Sequence, residues 1–469
     1  MDYPDASSAP WIAHQMTQKM RVAWFSPLSP IRSGISRYSA ELLPAISFTH
    51  QVDLFVDGPP AAFVSPDPQI RLFDALDFVW MNRRRAYDLI VYQLGNAPCH
   101  DYMWAYLVRY PGLVVLHDAQ LHHARGRALL QQRRYDDYRR EFWFNHPDAA
   151  VDLAELGAAG LLGSLTNFLP MLRVAIESAR HVVVHNQWLA EQLREAHPAT
   201  TVDVVEMGVP ACAAGPDARD SIRRRYGIPT ANVLFVAFGK VTPEKRIIEA
   251  VRGLAAMTAA VPDAHLLIAG ESVDYYDPIA VARNTGVGDR VAVAGYVPDD
   301  ELDQHLVAAD VCLCMRWPTS RETSASYLRC LAAGRPTLTT DLVHNVDIPT
   351  MDTRNGAVLG HGIPVGVSVD ILDERHSLNL AMRRLAQDAR LRDALGAQAR
   401  ELWADRFRVE QMIAGYRASI DRAAAAPPPR EQQRRELPAH LLSDGREHGT
   451  RLLLEAGFPN SVVDSYLDT

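Results

Sequence analysis

Short apolar runs alternate with longer amphipathic stretches along the first two hundred residues of the chain. These runs are rich in Val, Leu, Ile and aromatic residues and carry few polar positions. Strands buried on both faces have this pattern, because helices cover both sides of a parallel sheet. The runs lie at residues 21–25, 52–56, 89–92, 113–116, 182–184 and 202–205. The alternation therefore predicts βαβ units and a parallel sheet in this half of the chain.

The same alternation restarts after a break. Residues 208–216 (GVPACAAGP) are rich in Gly, Ala and Pro, which is typical of a linker. Beyond it, strands are predicted at 233–238, 265–269, 290–294 and 311–315, and helices at 243–257, 377–388, 391–406 and 409–424. Two successive doubly wound units of this kind place a cleft between the carboxyl ends of their sheets.

We expect five parts in all: an N-terminal tail (1–19), a first Rossmann-like domain (20–210), a second Rossmann-like domain (211–408), a helix that returns to the first domain (409–426) and a C-terminal tail (427–469). Within the first domain, residues 120–180 form an insert that we predict to hold two or three helices. The tail carries leucines between polar residues and is expected to form short amphipathic helices.

Composition narrows the class of protein. The chain has 469 residues and a formal net charge of −8, so binding to nucleic acid is not favoured. No apolar run is long enough to span a bilayer, and the five cysteines suggest reduced thiols. We therefore expect a cytoplasmic protein. The basic and aromatic stretch 133–144 could place it at the inner face of a membrane, and a solvated helix face is the alternative interpretation.

The most informative motif follows the run 311–315. A polar turn leads into a predicted helix that begins at Thr323 or Ser324 and stops at Gly334. A helix that starts just past the carboxyl end of a strand offers free N–H groups and a positive dipole end to an anion. The carboxylate of Glu322 could accept protons from hydroxyl groups. A nucleotide sugar is a ligand of this kind, because it carries both an anion and hydroxyl groups.

A second motif lies on the first strand-to-helix turn of the second domain. Gly239 allows a ligand to approach the backbone closely, and Thr242 with Pro243 is suited to a helix start. Lys240 and Lys245 emerge near this turn, and two ammonium groups suit a diphosphate. Solvated surface lysines are the alternative.

Together these motifs resemble glycosyltransferase family 4. The resemblance rests on FGK at 238–240, PEK at 243–245, RETS at 321–324, Arg329 and GRP at 334–336, and it covers about residues 20–424. It implies an α/β protein of GT-B fold, with two Rossmann-like doubly wound domains facing across a cleft and a C-terminal helical tail outside the resemblance. The first domain would receive the acceptor and the second the nucleotide sugar. The implied reaction is a retaining, metal-independent transfer to an acceptor hydroxyl, with no cofactor besides the nucleotide sugar as co-substrate.

The resemblance also implies roles for single residues. Donor diphosphate would be held by Lys240, Lys245, Thr323, Ser324 and Ser326, with Gly239 beneath it. The implied catalytic residues are His117, beside the donor sugar, and Glu322, on its hydroxyls. Gly34 would belong to a flexible loop that closes on the phosphate and the acceptor. The family normally has a second Glu, a ribose ligand, where this chain has Arg329; this departure leaves the nucleoside contact open, and a guanidinium there could touch phosphate.

Several alternatives stay open at the level of sequence. Asp118 either orients His117 or acts as the base for the acceptor, and Asn96 is expected to line the acceptor side. A metal held by His117, Asp118, His122 and His123 is a further alternative, but we expect none, because the spacing matches no standard zinc site.

Rival functions are a GT-B-like scaffold that binds a nucleotide sugar without turnover, and a nucleotide-sugar epimerase of similar fold. The acceptor could be a glycan, a lipid-linked sugar, a small molecule or a protein. The sugar, the base and the oligomeric state are open as well.

Overall fold

The chain forms two parallel-sheet domains, each with helices on both faces, in a computed structural model that describes residues 19–319, 323–341, 347–442 and 453–462. This confirms the predicted α/β class and the two successive doubly wound units.

The N-terminal sheet is wholly parallel and has the strand order β3-β2-β1-β4-β5-β6-β7. Its strands are β1 (Arg21–Phe25), β2 (Gln51–Val56), β3 (Arg71–Asp74), β4 (Leu89–Leu94), β5 (Leu113–Leu116), β6 (His181–Val184) and β7 (Val202–Val204). Its helices are α1 (Gly34–Thr49), α2 (Phe78–Arg84), α3 (Met103–Arg109), α4 (His122–Leu130), α5 (Tyr135–Asn145), α6 (Leu153–Ala158), α7 (Arg173–Ser178) and α8 (Gln187–Ala196). The strand order reverses between β1 and β4, which opens a crevice at their carboxyl ends.

Strand β1 shows why the runs are apolar at nearly every position. Val22 and Trp24 face one layer of the core, which includes α1, whereas Ala23 and Phe25 face the layer that includes α3. All four side chains are fully buried. Burial on both faces replaces the alternation of apolar and polar residues that a half-exposed strand would show.

The insert contains more helices than the two or three predicted. Among the described residues it holds α4, α5, α6 and α7, together with a 3-10 turn at Gly163–Phe168. These elements enclose a small apolar core of their own around Tyr138 and Phe142. Pro147 lies between α5 and α6, and Gly160, Gly163 and Pro170 lie between α6 and α7. The break between α4 and α5 has no Gly or Pro and falls at Arg133, whose φ is 57°, so no signal in the sequence marked it.

The C-terminal sheet has the order β10-β9-β8-β11-β12-β15-β13-β14, and within it β14 pairs antiparallel with β13. Its strands are β8 (Val233–Phe238), β9 (Ala264–Ala269), β10 (Val291–Val293), β11 (Val311–Cys314), β12 (Thr337–Thr340), β13 (Thr350–Asp352), β14 (Val358–Leu359) and β15 (Gly366–Val369). Its helices are α9 (Ala218–Arg225), α10 (Ile247–Met257), α11 (Pro278–Asn284), α12 (Asp299–Ala308), α13 (Ala325–Ala332), α14 (Glu374–Gln387) and α15 (Ala389–Arg406). Here the order reverses between β8 and β11.

The helix predicted over 243–257 is interrupted. Pro243–Lys245 forms a 3-10 turn, and Arg246 adopts a left-handed conformation with φ of 56° before α10 begins. The Arg246 guanidinium donates to the Glu374 carboxylate of α14, with Nε to Oε1 at 2.7 Å. This contact holds the turn away from the helix axis, and the Thr242 hydroxyl makes no capping hydrogen bond.

Two crossings join the domains, and the second returns the chain to the N-terminal side. In the first, the Val209 N–H donates to the Phe407 carbonyl at 2.9 Å, and Trp403 Nε1 donates to the Val209 carbonyl at 3.1 Å. After α15 the chain forms α16 (Val409–Ala425), which packs on α1, β4 and β6. The hydroxyls of Tyr38 and Tyr416 are 2.7 Å apart across this contact.

The first part of the C-terminal tail also packs on the N-terminal domain. It forms α17 (Glu431–Glu436) and α18 (Ala439–Leu442), which lie against α7 and α3. Leu437 and Leu441 are buried in the same apolar layer as α3, and the His440 ring bonds the carboxylate of Glu141 at 2.8 Å.

Candidate functional site

The C-terminal side of the cleft is built on the loops after β8 and β11, which flank the point where the strand order reverses. Gly239 and Lys240 follow β8 and are exposed, with φ of Gly239 at 91°. Gly270, at the end of β9, brings its backbone against this loop, because a Cβ there would lie 1.9 Å from the Gly239 carbonyl oxygen. The close approach holds the Gly239 loop against the sheet edge.

Lys245 ends the 3-10 turn and points back toward this loop. Its Nζ lies 3.8 Å from the place that a Cβ on Gly239 would take. The side chain is only partly exposed. Burial of the ammonium, and then the neighbouring Arg316 guanidinium, lower the pKa of Lys245 to about 7. Lys240 and Lys245 thus share one loop but differ in environment, since one is solvated and the other is enclosed.

Helix α13 brings its N-terminus to the same edge. Ser324 is the N-cap residue, and its Oγ accepts from the Tyr327 N–H at 3.3 Å. Ser326 lies in the first turn and is partly exposed. The Thr323 hydroxyl reaches across the cleft to the His185 carbonyl at 3.4 Å. Glu322, the predicted contact to the donor sugar, lies outside the described residues.

The N-terminal side of the cleft is formed by the loops after β1, β4 and β5. Gly34 is exposed and begins α1, with open space around it. The backbone N–H of Asn96 donates to Asp118 Oδ2 at 2.8 Å. Gly95 has to be small here, because a Cβ would lie 2.5 Å from Ile35 Cδ1 and 3.3 Å from Asp118 Oδ2.

The side chain of Asn96 serves the fold. Its Nδ2 donates to the Gln120 carbonyl, and its Oδ1 accepts from the Ala124 N–H at 3.2 Å. The amide therefore joins the β4 loop to the start of α4. The predicted contact of Asn96 with the acceptor stays a prediction.

His117 is the centre of a buried polar network. It is 8% exposed and stacks edge-on against Tyr38. Its Nε2 lies 2.7 Å from the Gln93 side-chain amide, and its Nδ1 lies 3.2 Å from His185 Nε2. Burial lowers the pKa of His117 well below its usual range and that of His185 to about 4. Both rings are therefore neutral at pH 7.

Neutral rings fix the direction of every hydrogen bond in this network. His185 Nδ1 must donate to the Val205 carbonyl, 2.9 Å away, so its Nε2 accepts from His117 Nδ1. The structure places Gln93 Oε1 at 2.7 Å from His117 Nε2, where two acceptors would face each other, and leaves the Gln93 amide nitrogen without a partner among the described residues. We therefore assign the Gln93 amide in the turned orientation, in which its nitrogen donates to His117 Nε2.

Both nitrogens of His117 are consequently engaged inside the N-terminal domain. Proton exchange with a substrate would require the network to rearrange. The predicted place of His117 beside the donor sugar stays a prediction, and the structure assigns the ring nitrogens to Gln93 and His185.

Arg329 has a protein partner. Its guanidinium donates to the Glu41 carboxylate of α1, on the opposite domain, at 2.5 Å. Glu41 also accepts from Arg37 Nε at 2.9 Å. The Arg329 residue is only 6% exposed. Arg329 therefore joins the two domains, and its suggested contact with phosphate would need this ion pair to open.

Sequence reasoning missed Arg316, which follows β11 on the C-terminal side of the cleft. Its charge acts on Lys245 of its own domain and on Asp118 of the other. A charged residue directly after the buried run 311–315 was the signal that could have identified it.

Three further observations complete this description. Among the described residues, no group of three His, Cys, Asp or Glu side chains could hold a metal ion. None of the helices in the same ranges is long and apolar enough to cross a membrane. A cavity of about 560 Å³ opens beside the domain crossings; it is lined by Gln187, Val204, Val205, Glu206, Asp347, His361, Arg406, Gln411 and Gly415.

Comparisons with known proteins agree with this architecture. Residues 232–367 match the family described as Glycosyl transferases group 1. The chain is 28% identical to 2-deoxystreptamine glucosyltransferase of Streptomyces kanamyceticus over 26% of this chain and 32% of that protein. It is 22% identical to N-acetyl-alpha-D-glucosaminyl L-malate synthase of Bacillus anthracis over 55% of this chain and 63% of that protein. The matches thus span less than two thirds of either relative.

Solved structures show the same fold. Sucrose-phosphate synthase from Thermosynechococcus elongatus superposes with a TM-score of 0.62 at 16% identity, over 87% of this chain and all of that one. Anabaena HepE in complex with UDP and glucose gives a TM-score of 0.58 at 15% identity, over 86% of this chain and all of that one. The chain thus has the GT-B fold of these structures, and its residues 232–367 match the family described as Glycosyl transferases group 1, in agreement with the resemblance seen in the motifs.

Proposed function

We propose that the protein is an enzyme that transfers a sugar from a nucleotide sugar to a hydroxyl group of an acceptor. The observation that carries this proposal is that the partly buried Lys245 and the N-terminus of α13 lie at the same edge of the C-terminal sheet, which faces the N-terminal domain. Cations and free N–H groups together suit a diphosphate. The family match supports a sugar as the group attached to it.

The chemistry of the leaving group explains the arrangement. As the bond between the sugar and the diphosphate breaks, negative charge grows on the phosphate oxygens and positive charge on the sugar ring. Lys245 and the first N–H groups of α13 would stabilise the negative charge that grows on the phosphate oxygens as the bond breaks. We assign Lys240, Ser324 and Ser326 to the same diphosphate, and Thr323 to the rim of the cleft.

The names of the two curated relatives suggest the kind of substrate. One name pairs glucose with 2-deoxystreptamine, and the other pairs N-acetylglucosamine with L-malate. We therefore propose a hexose donor. In both names the acceptor is a small polar molecule. Because these relatives are matched only in part, we treat this class as the first to test, ahead of glycans, lipid-linked sugars and proteins.

The decisive experiment begins with a thermal-shift panel of nucleoside diphosphates and their sugars, since a ligand of the native state raises the melting temperature. UDP-glucose and UDP-N-acetylglucosamine are the first compounds to include. The best donor is then incubated with the protein, and the products are followed by mass spectrometry. Release of the nucleoside diphosphate with a new glycoside supports the proposal.

Other products would favour the rival functions. A rearranged sugar still attached to its nucleotide would indicate an epimerase. Binding without any turnover, over all acceptor classes, would indicate a scaffold. A protein that binds none of the compounds would contradict every function considered for the cleft.

We further propose that transfer proceeds with retention of the anomeric configuration and without a metal ion. Retention is what the family resemblance implies, and NMR of the product's anomeric proton tests it. For the metal, cationic side chains and a helix N-terminus supply the charge that a divalent ion would otherwise supply. Treatment with EDTA should therefore leave the transfer rate within about twofold of the untreated rate. Loss of activity that a divalent ion restores would contradict this part of the proposal.

A further inference from the structure

Three of the five cysteines meet where α13 packs on β11. Cys312 and Cys314 lie on one face of β11, two positions apart, and Cys330 lies on α13. All three belong to the same apolar layer of the core. Cys314 Sγ and Cys330 Sγ are 3.9 Å apart. Two thiols in direct contact therefore join the strand to the helix whose N-terminus forms part of the proposed diphosphate site.

The pair lies close to the carboxyl edge of the sheet. Cys314 is the last residue of β11, and Cys330 lies in the second turn of α13. Cys314 is 8% exposed, whereas Cys312 and Cys330 are 0% exposed. A small solute that enters the cleft therefore reaches the Cys314 thiol first, with the Cys330 thiol directly behind it.

The two thiols differ in acidity. Contact with the Cys330 thiol, and then the charges of Lys245 and Arg316, hold the pKa of Cys314 below its ordinary value, although burial acts in the opposite direction. Burial, and then the neighbouring thiols, raise the pKa of Cys330. When the pair loses one proton, the charge therefore lies on Cys314 and the Cys330 S–H donates to it. Because the thiolate is the reactive form of cysteine, Cys314 is the nucleophile of the pair.

We propose that Cys314 and Cys330 form a disulfide when a hydroperoxide enters the cleft, and that this bond weakens the proposed diphosphate site. Cys314 Sγ attacks the peroxide and the O–O bond breaks. One oxygen stays on the sulfur as a sulfenic acid, and the other leaves as water or an alcohol with the thiol proton. Cys330 Sγ then attacks the Cys314 sulfur, the S–O bond breaks, and the hydroxyl leaves as water with the Cys330 proton. Two thiols are oxidised, one hydroperoxide is reduced, and a dithiol reverses the reaction.

The disulfide changes the position of α13, and the effect on the ligand rests on the proposed function. The distance between the two sulfurs has to fall from 3.9 Å to about 2 Å. Strand β11 is held between β8 and β12, so the helix moves towards the strand. The first N–H groups of α13 move with it. A diphosphate that they bind is then held less tightly, because hydrogen bonds depend steeply on distance and direction.

The first measurement locates the disulfide in the full chain. Reduced protein is treated with hydrogen peroxide, the remaining thiols are alkylated under denaturing conditions, and linked peptides are identified by mass spectrometry. We expect a link between Cys314 and Cys330 that dithiothreitol removes. Cys314→Ala and Cys330→Ala should form no link, whereas Cys312→Ala, a change of the same size on the same strand face, should retain it. Cys99 and Cys212, whose pKa burial raises, should stay unlinked.

The second measurement is titration calorimetry of reduced and oxidised wild type. The ligand is the nucleoside diphosphate, among ADP, GDP, UDP and dTDP, that stabilises the reduced protein most. Oxidation should raise the dissociation constant about tenfold or more, and dithiothreitol should restore it. C314A is treated in the same way and should bind equally before and after peroxide, which controls for oxidation elsewhere in the chain.

The outcomes distinguish the disulfide from the function of the site. Reduced wild type that binds no nucleotide contradicts the proposed function, and peptide mapping then still decides the disulfide. Absence of a link, or a link through Cys312, overturns the pairing of Cys314 with Cys330. A link that leaves the affinity unchanged overturns its effect on the diphosphate site alone. Thermal melts accompany each titration, and C330A provides the same control should C314A prove unfolded.

Discussion

Near pH 7, the side chain of Lys245 is protonated in only about half of the molecules. Burial and the Arg316 guanidinium lower its pKa to about 7, whereas an unperturbed lysine titrates near 10.4. A bound diphosphate favours the ammonium form and so raises this pKa. Above pH 7, binding of the proposed donor is therefore coupled to the uptake of one proton. The affinity for the donor then depends on pH.

We accordingly predict that the affinity for a nucleoside diphosphate falls as the pH rises from 7 to 9. The decrease approaches about tenfold per pH unit, the limit set by uptake of one proton. The ligand's own charge is constant in this range, since its last ionisation lies near pH 6. Titration calorimetry in two buffers of different ionisation enthalpy measures the proton uptake directly.

Two variants provide the controls for this pH dependence. Lys245→Ala should raise the dissociation constant by about tenfold or more at pH 7 and should show little further pH dependence. Lys240→Ala, on the same loop but exposed, should keep the wild-type slope whatever its affinity. A slope that survives in K245A would assign the proton to another group.

At this scale the sequence identified Lys245 but could not give its environment. The lowered pKa depends on burial and on Arg316, which is 71 positions away in the chain. Likewise, the sequence placed His117 at a strand end, but only the packing of β4, β5 and β6 shows that Gln93 and His185 occupy its nitrogens. Single-residue chemistry of this kind is set by neighbours in space.

At the scale of elements, the site depends on how closely strands β8 and β9 approach at their carboxyl ends. The Gly270 backbone packs against the Gly239 carbonyl, with no room for a methyl group. The loop that carries Gly239 and Lys240 is held against the sheet by this contact. The geometry of the proposed diphosphate site therefore depends on Gly270, which has no side chain of its own to contact a ligand.

We predict that Gly270→Ala lowers the free energy of unfolding by about 2 kcal/mol, because the backbone has to shift to admit the Cβ. The displaced loop should also bind a nucleoside diphosphate at least tenfold more weakly. Chemical unfolding and titration calorimetry measure the two effects. Gly215→Ala is the matched control, since it lies in open space without a left-handed backbone and should change stability by less than about 0.5 kcal/mol. Equal behaviour of the two variants would contradict this account.

Elements with a strong pattern were predictable, and those shaped by tertiary contacts were not. Helix α13 starts at Ser324 and ends before Gly334 as its capping residues indicate. Strands β3, β12 and β15 are four residues long each and gave no separate signal. The break between Lys245 and α10 is stabilised by the ion pair of Arg246 with Glu374, on a helix far along the chain, so local propensity favoured one continuous helix.

At the scale of the whole molecule, the ion pair of Arg329 with Glu41 links the two domains. The side chain of Arg329 is 7% exposed and that of Glu41 22% exposed, so the pair is partly shielded from water. Loss of one partner leaves the other charge poorly solvated. The ion pair therefore favours an arrangement in which the carboxyl ends of the two sheets face each other closely.

We predict that Arg329→Gln and Glu41→Gln each open the cleft, measured as a larger radius of gyration in small-angle scattering of the free protein. In thermal unfolding, the double variant should lose less stability than the sum of the single losses, with a coupling of about 1–2 kcal/mol. Arg354→Gln is the control, because Arg354 pairs with Asp352 within one domain and should leave the scattering unchanged. Additive losses would show that the pair does not act as a unit.

The returning helix α16 has a consequence for how the molecule is made. Tyr416, Ser419 and Arg422 on this helix bond Tyr38 and Asp203 in the N-terminal domain. The first domain to leave a ribosome is thus the last to be completed, since its outer layer is encoded after the entire second domain. Nascent chains arrested near residue 230 would expose the bare flank of the first sheet. During synthesis, that flank is where we expect chaperones to bind.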